Sequence, residues 1–133
     1  MIQQRKSSGK VPMPTEAELA ILQILWSRGP STVREVHTAL RYRRTGYTTA
    51  LKQMQVMTEK GLLTRSERFR SHVYEAGIPR EQTQLQLTRN LLERVFDGSA
   101  KSLVLGALSS QPISSSELAE IREMIEKFEK GKA

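Results

Sequence analysis

Two histidines, fourteen carboxylates and no cysteine are what this chain of 133 residues offers for acid–base, metal or nucleophilic chemistry. His37 and His72 lie far apart in sequence, and neither sits in a cluster of carboxylates. A zinc centre needs three or four ligands, so no metal site is expected. The missing cysteine excludes disulfides, thiolate-bound zinc, iron–sulfur clusters and a thiol nucleophile. There is no glycine-rich phosphate loop and no hydroxyl with an evident base beside it. The chain does not read as an enzyme, and nothing implies a cofactor or a small-molecule ligand.

Non-covalent chemistry remains, and the charge says with what. The formal net charge is +7. Residues 1–78 hold thirteen Lys and Arg against six Asp and Glu, whereas residues 79–133 hold eight against eight. A one-sided cationic surface favours an anionic partner, nucleic acid before membrane. The side chains best suited to meet it lie in "TGYTTALKQMQVMTEKGLLTR", residues 45–65. At about 100° per residue, Ala50, Met54, Met57 and Gly61 gather on one side of a helix. Thr48, Lys52, Gln55 and Glu59 fall on the other, flanked by Thr49 and Val56. Threonine can meet a base edge or a thymine methyl, glutamine pairs with adenine, and lysine reaches guanine O6 and N7. Thr48, Thr49, Lys52 and Gln55 are therefore the expected base contacts. Arg43, Arg44 and Tyr47 before this helix, and Arg65, Arg68 and Arg70 after it, are the expected phosphate contacts. Glu59 fits poorly, because it should repel phosphate if the helix lies deep in a groove.

The elements that must hold these residues can be read from caps and periodicity. Residues 1–13 are polar and aperiodic, a flexible arm carrying Arg5, Lys6 and Lys10. "PTEAELAILQILWSRGP" is a helix that opens on a Thr15–Glu18 capping box and stops at Gly29-Pro30. Its Leu19, Ile21, Leu22, Leu25 and Trp26 follow helical spacing. "STVREVHTALRYR" is a second helix, from a Thr32–Glu35 box, with Val33, Val36 and Leu40 inward and His37 off that stripe. The third helix runs from Tyr47 to Lys60 and stops at Gly61. The period then changes to two, giving two strands joined near Phe69-Arg70-Ser71. Three helices and a hairpin over residues 14–78 predict a winged helix, a variant of the helix-turn-helix.

Residues 79–133 read as three more helices. The first carries Leu85, Thr88, Leu91, Leu92 and Val95 on one side, and the second, "SAKSLVLGALSS", carries Leu103. The last opens on a third capping box, Ser114 and Glu117, and carries Leu118, Ile121, Ile125 and Phe128 at spacings of 3, 4 and 3, the pattern of a helix–helix seam. Large aliphatic side chains left wet would each forfeit about 1.5–3 kcal/mol, and a second copy of the segment is the simplest cover. The expected fold class is thus mainly α with a small β-hairpin: an N-terminal winged helix plus a C-terminal three-helix dimerisation region. No stretch approaches a membrane span, and the N-terminus lacks an apolar signal region, so a soluble cytoplasmic protein is expected.

These segments, in this order, resemble the BlaI/MecI family of bacterial penicillinase repressors from about Pro14 to Lys130. "TEAELAILQILW" and "STVREVHTAL" resemble the family's first two helices. "YTTALKQMQVMTEKGLLTR" resembles its recognition helix and first wing strand. "LLERVFDGSAKSLVLGAL" and "ISSSELAEIREMIEK" resemble its dimerisation helices. The resemblance implies a dimeric repressor of transcription on a dyad-symmetric DNA operator, with base contacts near the helix start at Thr48, Thr49 and Lys52. It also implies a partner, a membrane sensor with a zinc-protease domain, which relieves repression by cutting the C-terminal region. Where staphylococcal members carry an Asn-Phe cleavage pair, this chain has Gly106 and Ala107, a departure that puts the cut in doubt. Two other readings share part of the pattern: a non-specific architectural DNA binder, and a winged helix used to bind proteins.

Overall fold

Thr15 and Thr32 start the first two helices in the same way. In the computed structural model, which describes residues 11–40, 44–68 and 70–132, α1 spans Glu16–Arg28 and α2 spans Val33–Ala39. The Thr15 hydroxyl accepts from the Glu18 N–H, and the Glu18 carboxylate accepts from the Thr15 N–H at 3.0 Å. Thr32 and Glu35 repeat the exchange at α2. Each box satisfies two backbone donors that a helix start would leave unpaired.

The segment expected to be helical as far as Arg43 is helical to Ala39. There the Leu40 N–H turns back onto the Val36 and His37 carbonyls, both at 3.0 Å, which tightens the last turn. Helix α3 (Tyr47–Lys60) starts at Gly46 and ends at Gly61, whose φ of 90° is the left-handed conformation that closes a helix. Strands β1 (Leu63–Arg68) and β2 (Ser71–Ala76) pair antiparallel, from Leu63 opposite Ala76 to Arg68 opposite Ser71. Ser31, between α1 and α2, pins this hairpin. Its N–H donates to the Tyr74 carbonyl at 3.0 Å, and its carbonyl accepts from the Tyr74 N–H at 2.8 Å.

One core binds these elements. Ile21, Leu22 and Leu25 of α1 meet Val36 and Leu40, then Ala50, Met54 and Met57 of α3, then Leu62, Leu63 and Tyr74 at the hairpin. Three helices closed by a hairpin form the winged-helix variant of the helix-turn-helix. Beneath this core runs a long-range ion pair. The buried Glu18 accepts from Lys60 Nζ at 2.7 Å, which ties the start of α1 to the end of α3. Burial pushes the Glu18 carboxyl upward, but Lys60 and the Thr15 N–H favour its charged form and hold it below the usual carboxylate value.

The chain divides into two compact units between Thr88 and Arg89. Helix α4 (Arg80–Arg94) runs through that division. Its first part completes the first unit, where Thr83 is buried and the Arg80 guanidinium lies 5.9 Å from the Trp26 ring centre. Trp26, half-buried, donates its indole N–H to the Ile78 carbonyl at 3.0 Å. In the second unit, Asp97 and Gly98 take positive φ and turn the chain into α5 (Ala100–Ser109). The Ser99 hydroxyl caps α5 on the Ser102 N–H, and the Ser114 hydroxyl does the same for α6 (Ser115–Lys132) on the Glu117 N–H. Among the described residues, no helix is long and apolar enough to cross a membrane.

Candidate nucleic-acid interface

Burial fixes how α3 is rotated. Ala50, Met54 and Met57 have no exposed surface at all, whereas Thr48, Thr49, Lys52 and Gln55 are exposed. All four expected base-contacting side chains therefore share one open face. Val56 and Glu59 share it too. Glu59 lies eleven residues beyond Thr48, roughly 16 Å along the axis at about 1.5 Å per residue. A helix presenting its N-terminal end to a groove would keep that carboxylate at the far end.

The start of α3 is built unlike those of α1 and α2. Gly46 supplies no side-chain cap, and the first turn holds no acidic residue. Its first backbone donors are left for an external acceptor, and the helix dipole there favours an anion. Tyr47, exposed beside them, is held from α2. The Arg34 guanidinium lies 5.8 Å from its ring centre, and the His37 ring meets it edge-on at 5.8 Å and 86°. The His37 Nε2 donates to the Thr45 carbonyl at 2.8 Å, so that nitrogen carries the proton.

Between α2, α3 and β2 lies an open cleft lined by Thr32, Val33, Arg34, Tyr47, Leu51, Ser71, His72 and Tyr74. No carboxylate lines it. Arg34 adds a basic side chain next to the start of α3 that the sequence reading did not assign as a phosphate contact, and His72 of the hairpin lines the same cleft. For Arg34 a signal existed: it stands three residues before His37, on the same face of α2.

The wing arginines do not act as one patch. The strand register puts Arg65 on one face with Tyr74, Glu67 and His72, and Arg68 on the other with Glu75 and Val73. Arg68 stands 4.0 Å from Glu75, and His72 stands 3.8 Å from Glu67, both exposed pairs of little energetic weight. Arg44 and Arg70 are exposed with φ of 58° and 65°, at the turns before α3 and between the strands. Arg43 and Phe69 lie outside the described residues, as do Arg5, Lys6 and Lys10 of the N-terminal arm. Among the described residues, no three His, Asp or Glu side chains gather as a metal site.

The second unit offers a different surface. Leu92, Leu103, Leu118 and Ile121 are half-buried within it, while Leu91, Val95, Ile125 and Phe128 are exposed, Phe128 by 75%. Val104, Leu105 and Met124 extend the exposed apolar area. Gly106 and Ala107 sit inside α5, where a Cβ on Gly106 would touch the Phe96 ring at 3.5 Å, an ordinary contact.

A bundle of three helices, a pinned hairpin and an open polar helix face framed by cations define a winged-helix regulator. The family follows from the sequence as a whole: the chain belongs to the penicillinase repressor family, whose model matches residues 14–127. It is similar to the penicillinase repressor of Bacillus licheniformis, 24% identical over 92% of this chain and 97% of that protein. It is likewise similar to the transcriptional regulator BlaI of Mycobacterium tuberculosis, 33% identical over 68% of this chain and 67% of that one. These relatives are regulators of transcription, not enzymes. Among solved structures, the YusO protein of Bacillus subtilis aligns over 97% of this chain and 81% of its own, at a TM-score of 0.48 and 15% identity. The fold assignment rests on the helices and hairpin themselves.

Proposed function

We propose that this chain is a transcriptional repressor that binds a dyad-symmetric DNA operator as a homodimer. The observation that carries the reading is α3: its core side is fully buried, its opposite face is open, and its start is uncapped. Thr48, Thr49, Lys52 and Gln55 meet base edges in the major groove. Arg34, Arg44, Tyr47, Arg65 and Arg70 meet phosphates beside it, and Arg68 reaches them from the opposite face of the wing. Residues 14–78 read the DNA, and residues 79–133 join two copies through the exposed apolar side chains of α4, α5 and α6. Two copies reach half-sites about one helical turn apart, and occupancy excludes polymerase. A cut within residues 99–110, by a membrane sensor protease of the kind the family resemblance implies, would sever α6 from the rest and relieve repression. Because Gly106 and Ala107 lie within a helix, α5 must open before a protease can hold that bond.

Footprinting of the purified protein on its own promoter tests the reading. A protected segment with internal two-fold symmetry is expected. Lys52→Ala should weaken operator binding by about 1–3 kcal/mol and relax preference at one base position. A uniform loss on all sequences would make Lys52 a phosphate contact, and the absence of any preferred site would make the protein a non-specific binder.

A further inference from the structure

We infer that His37 is the positioning residue that sets where the base-reading helix begins, an inference that rests on the DNA-binding role of α3 proposed above. Helices α1 and α2 fix their own starts with a Thr–Glu box. Helix α3 does not, since Gly46 gives it no side-chain cap. Neither space nor backbone demands glycine there: a Cβ would meet nothing within 4 Å, and the φ of −75° suits any residue. The missing cap leaves the first donors of α3 free for a ligand, and it also leaves the helix start without a local anchor.

The anchor comes from α2. His37 donates to the Thr45 carbonyl at 2.8 Å, across eight residues of chain, and its ring edge meets Tyr47. Arg34, one turn earlier on α2, covers the same tyrosine ring. Thr45 and Tyr47 flank Gly46, so the α2 side chains clamp the chain on both sides of the uncapped residue. Thr48 and Thr49 follow directly. A shift of the helix start would displace these short side chains from base edges, while the long arginines of the wing could still reach phosphates. His37 thus bears on discrimination between sequences more than on the strength of DNA binding as such.

The test compares wild type, His37→Ala and His37→Gln, whose side-chain amide can donate to the same carbonyl. In free protein, the Ala50 N–H, which donates to the Gly46 carbonyl at 3.0 Å, reports on the first bond of α3. Its hydrogen exchange should speed up in His37→Ala and return toward wild type in His37→Gln. On DNA, His37→Ala should lose between about twofold and tenfold in affinity for the footprinted site, the range of one net hydrogen bond. It should keep its affinity for random duplex and its salt dependence, and His37→Gln should recover the difference. Unchanged Ala50 exchange, or equal loss on both duplexes, overturns the inference while leaving the proposed function standing. A wild-type protein with no preferred site overturns the proposed function, and this inference with it, even if Ala50 exchange responds.

Discussion

The two units of this chain hold the same kinds of side chain and treat them differently. In the first, the apolar side chains of α1, α2, α3 and the hairpin close on one another until Ile21, Leu22, Val36, Met54 and Met57 lose all contact with solvent. In the second, no described residue from 89 onward is buried, although α5 and α6 carry leucine, isoleucine, valine and phenylalanine at helical spacing. The first unit is a finished domain in one copy. The second leaves its outer apolar side chains exposed, and in the proposed dimer a second copy supplies the neighbours that would desolvate them. The difference teaches that composition does not say whether a segment is self-sufficient; the number of layers available to cover its apolar faces does.

Three variants bear on that contrast. Ile121→Asp together with Ile125→Asp should have the largest effect. Charge on the seam of α6 should give monomers by analytical ultracentrifugation, and loss of the tethered second reading helix should weaken operator binding by about 10²–10⁴-fold. A dimer of unchanged mass would remove the seam from α6. Met54→Ala tests the finished side. It opens a cavity in a closed core and should cost about 2–5 kcal/mol in chemical unfolding. That cost should be the same at all protein concentrations, because the core lies within one copy. A strong concentration dependence would mean that the first unit also leans on its partner. Glu18→Gln is the smallest, about 1 kcal/mol or less, since Lys60 is partly exposed and its pairing is screened by water. The sign is set by the lowered carboxyl. The stabilisation is complete above the ordinary carboxylate value of 4.5 and fades as pH falls through the lower folded value. Wild type and variant should therefore differ at neutral pH and converge in acid, as followed by thermal melts. A gap that widened in acid would contradict the role of the pair.

How much of this was legible in the sequence depends on the range of the interaction. Caps and periodicity are local, so Thr15 with Glu18, Thr32 with Glu35, and Gly61 located helix ends correctly. The pattern of Ala50, Met54 and Met57 gave the rotation of α3, and with it the open face of Thr48, Thr49, Lys52 and Gln55. Contacts between elements left no such trace. The anchoring of Thr45 rests on the His37 side chain reaching it from α2, which no helical or strand period reports. The Glu18–Lys60 pair joins residues 42 apart in the chain. Arg65 and Arg68 look equivalent as charges in a basic strand, and only the register with β2 separates them by face.

The bridge between Ser31 and Tyr74 has a mechanical meaning. It clamps the hairpin at the fourth residue of β2, close to the core, and the strands run on from there, past the buried Val73, toward the turn at Arg70. The wing is therefore built as a cantilever, fixed to the rest of its unit at its root by this two-way backbone bridge. Arg65, paired with Tyr74, sits level with that root. Arg68 and Arg70 sit farther out along the arm, so in the proposed complex they are the wing cations that reach the phosphates farthest from this anchor.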